Sequence, residues 1–259
     1  MDEAFLLKRD KAAVLICLTL VTAAAWAYMI RMAIDMSGAG MDMNSPCMMT
    51  WEPNDILMVF IMWSIMMVAM MLPSVVPMAL ILVSVNRRRR QTKDPLIPTG
   101  LFLGAYIAVW TGFSALATLA QWGLHAAAML SHSMAISSPL LGGAMLLASG
   151  VFQWTPFRDA CMKHCRSPMG FVLTEWREGK RGALFMGLKY GTFCVGCCWM
   201  LMTLSLVLGV MNMLWMAALT VLMFWEKVVS PKSIWLSRAA GLSLIVWGLW
   251  VMTRAALSI

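Results

Sequence analysis

The sequence predicts an all-α protein, a polytopic transmembrane helical bundle of about seven spans in a single membrane domain over 1–259. Two observations carry that expectation. The chain is 61% hydrophobic and 12% charged, whereas a soluble domain is nearer half apolar and a quarter charged. Apolar runs of about 17–25 residues, enough to cross a hydrocarbon core, also recur along its length. They fall at about 12–30, 55–82, 100–122, 139–155, 182–209, 214–229 and 234–253.

The first run follows Lys8-Arg9-Asp10-Lys11. At about 19 residues it exceeds the usual apolar core of a signal peptide, so it is expected to stay as a signal anchor and first span. The second opens on Pro53, Asn54 and Asp55, a helix N-terminus with its acid in the first turn. Pro73 and Pro77 lie inside it, freeing carbonyls that neighbouring helices must satisfy and predicting a kink in its inner third. The sixth run is the shortest and is interrupted by Glu226-Lys227, which leaves its inner end open.

Basic residues order these spans. Lys8, Arg9, Lys11, Arg87 to Arg90, Lys93, Arg158, Lys163, Arg166, Arg177, Lys180, Arg181, Lys227 and Lys232 make sixteen of the 20 Lys and Arg residues, all in alternate loops. Arg31 and Arg254 alone fall on the other side. The positive-inside rule then puts the N-terminus in the cytoplasm and the C-terminus outside. The net charge of +8 thus reports topology, and no nucleic-acid partner is expected. The expected location is a bacterial inner (plasma) membrane, multi-pass, with the lipid bilayer as first partner. Glu226 and Lys189, both toward inner span ends, are expected to pair.

Sulfur is the chemistry-bearing feature. There are 28 methionines. Met58, Met62, Met66 and Met70 recur at i+4 with Met67 and Met71 beside them, so their thioethers stack on one helical face. Thioethers suit Cu(I), although methionine is also a common gap-filler in apolar cores. The outer segments add Met32, Met36, Met41, Met43, Met48, Met49 and Cys47, then His125, Met129, His132 and Met134. In the fifth run Cys194, Cys197 and Cys198 share one face, about 18 Å in from residue 182. The second run reaches that depth near Met66 to Met70, so a thiolate–thioether site between the two helices is geometrically allowed. Small residues permitting close helix approach are the packing alternative.

A third group is Cys161, His164 and Cys165, at i, i+3 and i+4 near 157–168. If helical, it suits Zn(II) or Cu(I), although structural zinc sites use four ligands and one short motif supplies three. A basic turn meeting anionic lipid is the other reading. The seven cysteines form no secreted-type disulfide ladder. No phosphate-binding glycine loop, catalytic triad or zinc-protease motif is present, so enzymatic activity is not the first expectation.

The segments that hold these sulfurs resemble an uncharacterised bacterial family, a domain of unknown function described as predicted metal-binding integral membrane proteins. The likeness runs from Trp51 to Glu226-Lys227. It rests on Trp51 through Asp55, Met62-Trp63, Met66-Met67, Ala69 through Ser74, Pro77-Met78, Thr155-Pro156, Cys161, Lys163, Cys165 through Pro168, Gly191 through Leu201 and Trp215-Met216. The resemblance implies a membrane metal-binding protein and brings no reaction with it.

Three functions follow as expectations. The first is binding of a soft metal, Cu(I), for transport or delivery to another membrane protein. Its route runs from the outer methionines through Met62, Met66 and Met70 to Cys194, Cys197 and Cys198, and then to Cys161, His164 and Cys165. The second is a membrane thiol–disulfide oxidoreductase using Cys194 and Cys197. The third is a non-catalytic subunit or assembly factor of a larger membrane complex; another membrane protein or a second copy of the chain in a homo-oligomer is the expected protein partner.

Overall fold

The computed structural model describes residues 3–38, 53–88, 96–127, 138–209, 212–229 and 235–257. Every regular element among them is a helix. In chain order these are α1 (Glu3–Gly38), α2 (Pro53–Arg88), α3 (Leu96–Ala126), α4 (Pro139–Phe152), α5 (Pro156–Arg166), α6 (Pro168–Glu175), α7 (Gly179–Leu208), α8 (Met213–Phe224) and α9 (Trp235–Leu257). A π-helical turn, Trp225–Val229, continues α8. The outer residues Met41, Met43, Cys47, Met48, Met49, Met129, His132 and Met134 lie outside the described residues.

Five of these helices, α1, α2, α3, α7 and α9, are long and apolar enough to cross a membrane, against about seven expected. The fourth expected span is broken. α4 has 14 residues, about 21 Å at the α-helical rise and short of a bilayer core. The chain then bends by 63° into α5, so the pair counts as a sixth crossing only if taken as one broken span. The break is written in the sequence: Thr155 caps α5 by accepting from the Arg158 amide, and Pro156 opens its first turn. The sixth expected span is 12 residues of α8 followed by 5 of π-helix.

α2 and α7 form the centre, half of each apolar window being buried, whereas α9 is peripheral with 11%. α1 lies along α2, α3 along α7, and α4 along α9. α2 continues through both prolines as one helix. Pro73 has no amide to bond the Ala69 carbonyl, and the Trp26 indole of α1 donates to that oxygen at 3.1 Å. A neighbouring helix thus satisfies the freed group, as the sequence requires.

The α3–α7 contact positions the site. Gly187 and Gly191 lie one turn apart on α7, and a Cβ at Gly187 would collide with the Phe102 carbonyl and sit 2.8 Å from the Ala105 Cβ. Small residues here let two helix backbones approach closely. Gly187→Leu is expected to push α3 off α7 and cost about 1–3 kcal/mol by overpacking. The check is the thermal midpoint in detergent; an unchanged midpoint would show that the approach is not needed.

Candidate metal centre

The cysteine face of α7 points inward. Cys194, Cys197 and Cys198 are all essentially inaccessible, none turned toward the outside of the bundle. The i, i+3, i+4 spacing puts the three on one stripe. Two of them bond within the helix: Cys197 Sγ donates to the Cys194 carbonyl at 3.1 Å and Cys198 Sγ to the same oxygen at 2.7 Å.

A fourth thiol arrives from a separate helix. The bend after α4 brings α5 against α7, where Cys165 Sγ lies 3.9 Å from Cys197 Sγ. Cys161, one turn earlier, packs over Gly196, where an added Cβ would come within 3.0 Å of its sulfur. All of these cysteines are free thiols. The Tyr190 hydroxyl donates to the Cys165 carbonyl at 3.4 Å, tying α5 to α7.

α3 and the π-turn close the cluster. The Tyr106 hydroxyl lies 3.2 Å from Cys194 Sγ and donates to the Met71 carbonyl at 3.4 Å, linking the cysteines to the methionine helix α2. Lys227 reaches in from the π-turn, its Nζ donating to Cys194 Sγ at 3.0 Å with Cys198 Sγ at 3.9 Å. Its neighbour Glu226 turns to α5 and forms a buried ion pair with Arg158 at 2.6 Å. Arg166 adds bonds to the Glu226 carbonyl at 3.0 Å and to Ser237 Oγ at 3.2 Å. The cluster therefore sits deep within the helices, about 22 Å along α7 from Gly179.

The methionines form a buried column. Met62, Met66, Met67, Met70, Met71 and Met78 are inaccessible and belong to one core with the four clustered cysteines. Met58, the first rung expected from the i+4 row, is 66% exposed and stands outside it. Trp63 is fixed among them by donating to Gln121 Oε1 of α3 at 2.6 Å.

The group on α5 splits. Residues 156–166 are helical, and Cys161 and Cys165 face the core. His164 falls on another face, half-exposed, where its ring stacks on Phe193 at 4.1 Å and Nδ1 meets the Ala160 carbonyl at 3.0 Å. No three of His, Cys, Asp and Glu among the described residues are arranged as a ready ligand set. Zinc, which favours four ligands, gains no support from this geometry. His164→Ala is expected to leave metal retention within about twofold of wild type, below even a second-shell effect. Metal-to-protein ratios after gel filtration check this.

The charges pair differently from the sequence expectation. Glu226 pairs with Arg158 rather than Lys189, which pairs with Glu175 at 2.6 Å. Lys227, expected in an inner loop, is 5% exposed and at the thiols. Its adjacency to Glu226 at the end of a short apolar run was the available signal.

The fold and the site thus define an all-helical protein with long apolar helices that gathers free thiols from two of them in its interior. The chain matches the family model of PpoB2, described as a copper chaperone, over residues 60–251, and it belongs to that family. Those residues include every cysteine of the cluster, Lys227, Tyr106 and the column from Met62 onward, and they omit α1. No curated protein and no solved structure matches the chain.

Proposed function

We propose that this protein is a multi-pass copper chaperone of a bacterial inner membrane, holding Cu(I) on Cys194, Cys197, Cys198 and Cys165 and delivering it to another membrane protein. The observation that carries this reading is the approach of Cys165 on α5 to Cys197 on α7, 3.9 Å between sulfurs, inside a buried core where the nearby Glu226 carboxylate is taken by Arg158. Thiolates and thioethers select Cu(I) over hard cations, and Cu(I) is content with as few as two sulfurs. The local S–H bonds to the Cys194 carbonyl are weak and easily given up to a metal. Met62, Met66 and Met70 supply weaker thioether steps toward the outer end of α2, and Cys161 lies at the inner edge of the cluster. In this reading the N-terminus is cytoplasmic, and capture begins on the outer methionines.

The test is elemental analysis of protein purified under reducing conditions and loaded with Cu(I), with X-ray absorption of the bound copper. One copper per chain with a first shell of sulfur supports the reading. A chain that retains no copper against gel filtration ends it.

Thiol–disulfide exchange is a second reading, and one distance favours it. Beside the pair Cys194 and Cys197, it makes a second candidate pair of Cys165 and Cys197. Joining either pair would release two protons and pass two electrons to a quinone. Alkylation mapping after quinone treatment separates the readings: both pairs left unreacted leave copper holding alone.

A further inference from the structure

We infer that Lys227 is the resident counter-charge of the copper centre, a positioning residue that makes a buried anionic copper–thiolate unit electrically neutral. This rests on the copper reading of the same cluster and adds to it a residue that is not a ligand.

The placement is specific. Lys227 is buried, and its Nζ sits 3.0 Å from Cys194 Sγ and 3.9 Å from Cys198 Sγ. The neighbouring cations already have oxygen partners. Arg158 holds Glu226 at 2.6 Å, Arg166 bonds the Glu226 carbonyl and Ser237, and Lys189 holds Glu175 at 2.6 Å. Among the described residues, the polar partners of the Lys227 ammonium are sulfur atoms. An ammonium is costly in an apolar interior unless an opposite charge lies beside it. In this core the groups able to carry that charge at Lys227 are thiols.

Charge counting gives the role. With two of the four cysteines bound as thiolates and the other two remaining as neutral thiols, a monovalent soft cation forms a unit of net charge minus one. Alone in a low-dielectric core, that unit carries an uncompensated charge; beside one ammonium the assembly is neutral. An ammonium has three donors and no lone pair, so Lys227 acts through the sulfurs and does not bind the metal. The backbone supports this placement. The π-helical turn Trp225–Val229 sends two successive side chains inward, Glu226 to Arg158 on α5 and Lys227 to Cys194 on α7. Such turns recur at functional sites because the extra residue re-aims side chains.

The test uses the full chain in detergent under reducing conditions, with Cu(I) and separately Ag(I) partitioned against a chromophoric chelator. Lys227→Met is expected to weaken retention of both ions at least about tenfold, equivalent to about 1.4 kcal/mol, and Lys227→Arg to stay within about threefold of wild type. Rescue by arginine reads the charge, which a packing role for the lysine stem would not produce. If Lys227→Met does not fold, Lys227→Gln is read in the same way. A neutral variant that binds as wild type does, or an arginine variant as weak as the neutral one, overturns the inference. In either case copper binding by wild type, with loss on cysteine replacement, keeps the site reading intact. A wild-type chain that binds neither ion overturns both.

Discussion

Replacing Cys197 and Cys198 together by serine is expected to abolish stable copper retention. Loss of a second-shell partner already costs about 10–100-fold in metal affinity, so loss of two thiol ligands should cost at least about 100-fold. The expectation follows from geometry: Cys197 is the α7 thiol that meets Cys165 across the α5–α7 contact, and Cys198 shares the Lys227 ammonium with Cys194. Serine keeps the donor to the Cys194 carbonyl, which both thiols occupy, so the fold has little reason to fail. The measurement is Cu(I) competition with a chromophoric chelator, alongside a triple Met62→Leu, Met66→Leu, Met70→Leu variant. The triple variant should keep equilibrium affinity within about threefold, because thioethers bind weakly, and should slow loading if the column is the route. Cysteine variants that hold copper as tightly as wild type would remove the centre from these residues. A triple variant that loads at the wild-type rate would leave the column as packing.

Much of this site was readable from spacing alone. Cys194, Cys197 and Cys198 share a face because a helix repeats every 3.6 residues, and that face is the buried one. The methionine column was readable in the same way, except at Met58, which stands exposed at the start of the row. Pro73 announced a carbonyl in need of a partner, and Trp26 supplies one. What spacing cannot carry is the meeting of distant segments. Spacing alone puts Cys165 in a separate inner site, because 157–168 reads as a basic loop between two spans. The 63° bend after α4 folds that segment back onto α7. Lys227 was misplaced for a related reason. A 12-residue helix ending in a π-turn has a side-chain phase that no constant period describes, so its inward lysine counted as a loop charge. The pairing of Glu226 with Arg158 is a choice among several cations, and tertiary contact alone makes it.

Removing one member of the Arg158–Glu226 pair is expected to be the most destabilising change in the bundle. Both side chains are inaccessible, 1% and 0% exposed, at 2.6 Å. Arg158→Met leaves the Glu226 carboxylate buried without its partner, and Glu226→Leu does the same to the guanidinium. Breaking a buried pair on one side costs about 3–5 kcal/mol, while replacing both members by apolar groups is often neutral. The pair is also incompletely satisfied: Arg158 Nε and Nη1 and Glu226 Oε1 have no hydrogen-bond partner among the described residues. The double variant should therefore recover most of the thermal midpoint that either single variant loses. Single variants that melt as wild type does would show the pair to be incidental. A double variant no better than the worse single would show that these charges hold the fold through contacts beyond each other. The consequence reaches the thiols, because Arg158 lies on the helix that carries Cys165, and Glu226 precedes Lys227 on the π-turn. Loosening the pair frees both elements from α7, so Cys165 should alkylate faster in either single variant at temperatures well below its midpoint. Unchanged alkylation would mean that α5 is held against α7 by its apolar face and by the Tyr190 bond to Cys165, with the ion pair contributing stability alone.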